Sequence, residues 1–197
     1  SVQRRLFGST QADKAIRTFF PLLKKLHFVN YEGVFAANSC FTDLGIQFVL
    51  ASRALDNVTD DTPHKDEIIK RLKSIKSDAQ KQGLINMFND PDYKNHNMWV
   101  ALKLLKTFKS IHWNDFLYTL HCLEDGMSLE DAIEKIKIDR KKIATYTFTN
   151  EDGNVLPNTC YSYLRSFLEE AGLIHKISPL ESKLSEEADK FFTLITI

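Results

Sequence analysis

One apolar pattern occurs twice in this chain, and it constrains the fold more than any other feature. Residues 19–29 read FFPLLKKLHFV and residues 164–174 read LRSFLEEAGLI, 145 positions apart. Set one under the other without a gap, Phe19 falls on Leu164, Leu22 on Phe167, Leu23 on Leu168, Phe28 on Leu173 and Val29 on Ile174. The agreement resumes after a short connection, where FTDLGIQFV at 41–49 lies against LSEEADKFF at 184–192. Phe41 then matches Leu184, Thr42 matches Ser185 and Phe48 matches Phe191, with the register slipped by two residues. Such slips belong in surface loops, where insertions are tolerated. The predicted unit is a helix, a two-stranded hairpin and a second helix with Thr42 or Ser185 as its N-cap.

The rest of the chain reads as helices separated by turn signals. Thr10 with Asp13 forms a capping-box pattern ahead of Ile16, Phe19, Phe20 and Leu23. Pro21 lies inside that run, and its ring clashes with the carbonyl four residues back, so a kink is expected near Arg17. VFAANSCF reads as a return strand, DNVTDDTPH at 56–64 as a linker, and Lys65 to Leu84 as a basic amphipathic helix. Met98–Phe108 is a strongly apolar helix, Ser110–His112 a short strand, and Asn114 the expected cap of a helix through Leu123. Ser128 and Asp131 repeat the capping-box spacing at the head of Leu129, Ile133 and Ile136. Asn158 or Thr159 caps a helix ending at Gly172, a suitable C-cap residue.

A helix followed by a hairpin is the back half of a winged helix. The second copy also has the front half, in Met98–Phe108, Ser110–His112 and Asn114–Leu123, with 124–157 as an insertion. In the first copy the front half is only partly visible, and residues 1–9 are too short to supply it. The expected fold is mainly α (α+β), with two winged-helix-like units joined by helices. The first spans 1–60, a helical linker spans 61–95, and the second unit spans 96–197. Seven Gly and five Pro in 197 residues speak against a loop-rich all-β fold.

Formal net charge is zero, yet its distribution is uneven: residues 1–30 carry +5, residues 64–109 carry +5 and residues 151–197 carry −4. Such asymmetry sets one face toward phosphate and another toward solvent or a partner. The basic candidates are Arg4, Arg5, Lys14, Arg17 and Lys24 in the first copy. In the second, Asn158, Tyr161, Ser162 and Arg165 are expected on the polar side of the helix before the hairpin. Arg and Lys suit guanine edges and phosphates, and Asn suits adenine. Duplex DNA is therefore the expected partner.

Other chemistries lack their residues. Cys40, Cys122 and Cys160 stand alone, without metal spacing and in odd number, which fits a reducing cytoplasm. His112, His121 and Cys122 have no recognised ligand spacing and read as packing residues. Glu181-Ser182-Lys183 and Pro91-Asp92 carry nuclease-like spellings too far apart in the chain to form one centre. No phosphate-binding glycine loop or serine-hydrolase elbow occurs, and no apolar run is long enough for a membrane span. No cofactor and no catalytic residue is implied.

With both units laid out, the chain resembles the recognition region of AlwI-type type IIS restriction and nicking endonucleases. The likeness is one of layout. It runs from STQADKAIRTFFPLLKKLHFVNYEGVFAANSCFTDLGIQFV through KDEIIKRL, MWVALKLLKTFKSIHWNDFLYTL and LEDAIEKIKIDRKK to YSYLRSFLEEAGLI. In such enzymes, similar segments form helical and winged-helix subdomains that bind a short asymmetric DNA site, while a separate nuclease domain cuts at a distance. The resemblance implies a recognition fragment or a stand-alone relative, with a nuclease domain or subunit as a further partner. It points to Lys14, Arg17, Tyr161 and Arg165 as contacts, with Asn38 and Lys183 on the wings as lesser ones. A transcription or replication regulator with the same modules, a protein-interaction module and a small intact nuclease acting through Glu181 remain the rival readings.

Overall fold

A computed structural model describes residues 21–30, 40–93, 96–149, 152–155 and 159–195. Among these the chain is mainly helical, with one small antiparallel sheet. It divides into two compact units, residues 1–90 and 91–197. The Thr10–Asp13 capping box, the kink at Arg17 and most of the VFAANSCF strand fall outside the described residues.

In the first unit, residues 21–25 are helical and lead into an extended bridge between Val29 and Phe41. Helix α1 follows (Asp43–Asp56), then helix α2 (Lys65–Phe88). Thr42 caps α1 as expected, its hydroxyl accepting from the Gly45 N–H at 3.1 Å. Leu26, Phe28, Val29, Ala51, Ala79, Leu84, Met87 and Phe88 are buried. Burying a side chain such as Phe28 is worth about 1.5–3 kcal/mol.

The helix expected to serve as a linker is therefore part of this unit. The reason is a close approach at Gly83, where an added Cβ would sit 2.8 Å from Phe28 Cε1 and 3.1 Å from the Leu26 carbonyl oxygen. Glycine weakens a helix interior by about 1 kcal/mol relative to alanine, but here it lets α2 lie against the chain reversal at Leu26–Phe28. Gly45 does the same from α1, since a Cβ there would fall 1.9 Å from the Phe28 carbonyl oxygen.

The second unit opens with helix α3 (Asn97–Phe108), strand β1 (Ser110–His112) and helix α4 (Trp113–Glu124). Helix α5 (Leu129–Ala144) is the insertion, and helix α6 (Thr159–Glu170), strand β2 (Ile174–Lys176), strand β3 (Glu181–Leu184) and helix α7 (Ala188–Phe192) complete it. Helix α3 is buried on nearly every side, through Met98, Trp99, Val100, Ala101, Leu102, Leu104 and Leu105, as befits a helix that is apolar all round. The strands lie in the order β1-β3-β2, with Ile111 opposite Ser182 and Ile174 opposite Leu184. The strand nearest the end of the chain thus lies between the other two.

Two expected caps change hands. His112, not Asn114, caps α4: its Nδ1 accepts from the Asn114 N–H at 3.1 Å, and the Asp115 carboxylate accepts from the His112 N–H at 3.0 Å. Asn114 points instead at the end of α5, where its amide donates to the carbonyls of Ile143, Ala144 and Tyr146 at 3.0, 3.0 and 2.7 Å. Asp115, fully buried, also accepts from Arg140 Nη2 at 2.8 Å, so α4 and α5 are joined by a charged bond as well as by apolar packing. Ser128 caps α5 as expected, accepting from the Asp131 N–H at 3.1 Å. Ser185 does not cap α7; Glu187 holds that position, with no side-chain bond to the helix's first N–H groups.

Candidate nucleic-acid interface

The turns that end the two matched helices agree bond for bond. In the first unit the N–H groups of Leu26, His27 and Phe28 donate to the carbonyls of Leu22, Lys24 and Leu23. In the second, the N–H groups of Ala171, Gly172 and Leu173 donate to those of Phe167, Glu169 and Leu168. These are the same three bonds shifted by 145 residues. His27 and Gly172 hold matching left-handed conformations, with φ of 57° and 73°. The Thr42 hydroxyl donates to the His27 carbonyl at 2.6 Å, and the Ser185 hydroxyl donates to the Gly172 carbonyl at 2.7 Å. Thr42 N–H bonds to Phe28 O, and Ser185 N–H bonds to Leu173 O, at 3.1 and 3.0 Å. The paired hydroxyls of Thr42 and Ser185 thus latch the returning chain to the turn that ends the preceding helix.

The second unit's helix α6 turns Tyr161, Leu164, Arg165 and Leu168 inward, and Ala171 just beyond it is buried as well. This corrects the expectation that Tyr161 and Arg165 face a ligand. Tyr161 is 0% exposed, packs its ring 5.5 Å from both Trp113 and Phe116, and donates its hydroxyl to the Ile111 carbonyl at 3.0 Å. Burial pushes its phenol up to about 12.

Arg165 is 3% exposed and organises the hairpin turn. Its Nε donates to Ser182 Oγ at 2.7 Å, and its Nη2 to the carbonyls of Ser178 and Glu181 at 2.5 and 2.8 Å. Its Nη1 donates to the Pro179 carbonyl. A guanidinium fork satisfied in this way has no donor aimed at a groove. The repeat itself carried the missed signal, because the ungapped pairing sets Tyr161 on Ile16 and Arg165 on Phe20, both apolar.

The remaining candidates divide by position. Ser162 is half-buried on the outer side of α6, next to exposed Tyr163 and Ser166. Lys24 is exposed at the end of the first unit's helix. Arg4, Arg5, Lys14, Arg17, Asn38 and Asn158 lie outside the described residues. Lys183 is exposed on β3 directly across from exposed His175 on β2, and cross-strand partners share one face of a sheet. Lys176 is turned back toward α6, 2.7 Å from Glu169 and 3.2 Å from Ser166 Oγ. That bond holds the Glu169 carboxyl below its ordinary range. Glu169 and Glu170 make the C-terminal end of α6 acidic, which leaves its N-terminal half and the His175–Lys183 face as the surface suited to a polyanion.

Among the described residues no three His, Cys, Asp or Glu side chains gather as metal ligands, and no helix is long and apolar enough to cross a membrane. No protein-family model, curated protein or solved structure matches the chain.

Proposed function

We propose that the second unit is a winged-helix-like module that binds duplex DNA, and that the chain serves as the recognition part of a restriction endonuclease whose cutting centre lies in another domain or subunit. The supporting observation is the connectivity: helix, strand, helix, helix and hairpin, with β3 placed between β1 and β2. That is the strand order of a winged helix, reached here with α5 inserted before the helix that precedes the wing. In this reading the N-terminal half of α6 enters the major groove. Ser162, Tyr163 and Ser166 offer hydroxyls to base edges and phosphates. Lys183 on the hairpin lies along the backbone and supplies counterion-releasing charge, and His175 beside it offers a ring N–H. Arg165 acts on recognition only through the shape of the hairpin turn.

The test is fluorescence anisotropy of a labelled duplex titrated with the full chain at several salt concentrations. Lys183→Glu is expected to weaken binding about tenfold at low salt and to flatten the plot of log affinity against log salt by about one to two units. An unchanged slope in a protein that binds DNA would remove the wing from the interface. A dimer seated on an inverted repeat would favour the regulator reading instead.

A further inference from the structure

The insertion forms a cleft that the duplex-binding reading does not use. It has a volume of about 550 Å³ and lies between α4, α5 and the segment that follows α5. This volume suits a small organic ligand, for which pockets of roughly 300–1,000 Å³ are usual. Three sequence elements converge on it. Helix α4 presents Tyr118 and His121, α5 presents Lys135, Asp139 and Lys142, and the following segment presents Tyr146 and Phe148. Lys135, Asp139 and Lys142 stand four and three residues apart, so α5 turns one stripe toward the cleft.

Two of the aromatic rings are stacked and a third closes on them edge-on. The His121 and Phe148 rings lie 5.5 Å apart and within 7° of parallel, and the Tyr146 ring meets Phe148 edge-on at 4.8 Å. Tyr146 is nonetheless 58% exposed. A large ring held at a cleft wall yet left open to water is a platform with a vacant face. The charges around it are mixed, with Lys135 and Lys142 against Asp139 and Asp125. A bare anion would be repelled by the two carboxylates. A flat group that has both donors and acceptors on its edge and carries one phosphate satisfies all of them.

We propose that this cleft binds a nucleotide, with the base stacking on the exposed ring of Tyr146, which Phe148 and His121 buttress from behind. Asp139 accepts from the exocyclic amine or sugar hydroxyls of the bound group, and Lys135 and Lys142 take the phosphate. Stacking on aromatic faces is indifferent to sequence, and cations beside the stack supply the phosphate contact. The nucleotide is either free or one member of an unpaired strand, and the same chemistry recognises both. The inference does not rest on duplex recognition by α6 and the hairpin.

The experiment is isothermal titration of the full chain with adenosine 5′-monophosphate and, separately, with a twelve-residue single-stranded oligodeoxyadenylate. Saturable binding of either probe, weakened at least tenfold by Lys142→Glu and by Phe148→Ala, is the expected result. Tighter binding of the monophosphate identifies a free nucleotide as the source, and tighter binding of the oligomer identifies a strand. Where Phe148→Ala fails to fold by circular dichroism, Lys142→Glu, at an exposed position, decides alone. Absence of binding to both probes overturns the proposal, as does binding that the variants leave unchanged. Duplex affinity is read separately, so loss of one activity does not imply loss of the other.

Discussion

Arg165 and Tyr161 show how one helical turn can hold polar residues for purely structural ends. Arg165 is surrounded by a hydroxyl and three carbonyls of the hairpin turn. A lysine there keeps the charge and loses the fork, so the part-buried carbonyls of the turn lose donors. Arg165→Lys is therefore expected to destabilise the chain by about 2–4 kcal/mol, read as a lowered midpoint in urea. A midpoint within error of the parent would show that the turn holds without it. Tyr161 gives a pH signature. Its phenol is raised to about 12 in the folded chain, against 10.0 for an exposed tyrosine. The unfolded chain thus loses this proton first. The stabilising contribution is complete below about pH 10 and is lost as pH rises toward 12, at roughly 1.4 kcal/mol for each unit of difference. Ultraviolet titration is expected to show the Tyr161 phenol ionising late, together with unfolding. Tyr161→Phe should remove that late step.

At the scale of elements, the repeat was legible in sequence because its constraints are local. A left-handed residue ends the helix, a short strand follows, and a hydroxyl returns to the turn. Thr42 and Ser185 were readable as paired positions, but not as latches, because a hydroxyl before a helix has two uses. Thr42 both accepts from Gly45 and donates to His27, whereas Ser185 has only the second kind of bond among the described residues. The match also exposes an imperfection. The first copy has exposed His27 where the second has Gly172, and a side chain in the left-handed region costs about 1–2 kcal/mol. His27→Gly is expected to raise stability by about 1 kcal/mol, and a loss of stability in thermal unfolding would contradict the matched geometry. What could not be read was tertiary in origin. The packing of α2 on Phe28 depends on the missing Cβ of Gly83, and the burial of Arg165 depends on a turn thirteen to sixteen residues further along the chain. His112 as a cap was hidden because imidazole is an uncommon N-cap and Asn114 a common one.

At the scale of the whole molecule, the two units share one junction and differ in what surrounds it. In the first unit α1 and α2 complete the core, with Gly45 against the Phe28 carbonyl. In the second, buried Ala188 takes the position that Gly45 holds, and a front half of two helices and a strand is present. That front half is why the second unit carries the proposal of duplex recognition, with α6 and the hairpin as one surface. The charge is also divided: Lys183 stands on the hairpin, while Glu169 and Glu170 close the far end of the helix. The most direct measurement is selection of bound sequences from a pool of random duplexes by the full chain, carried out at low and at physiological salt. Recognition predicts a short, asymmetric motif that survives the higher salt, because base contacts persist where phosphate attraction is screened. A pool that remains random at both salt concentrations, or binding that vanishes at the higher one without any enriched motif, would contradict the account.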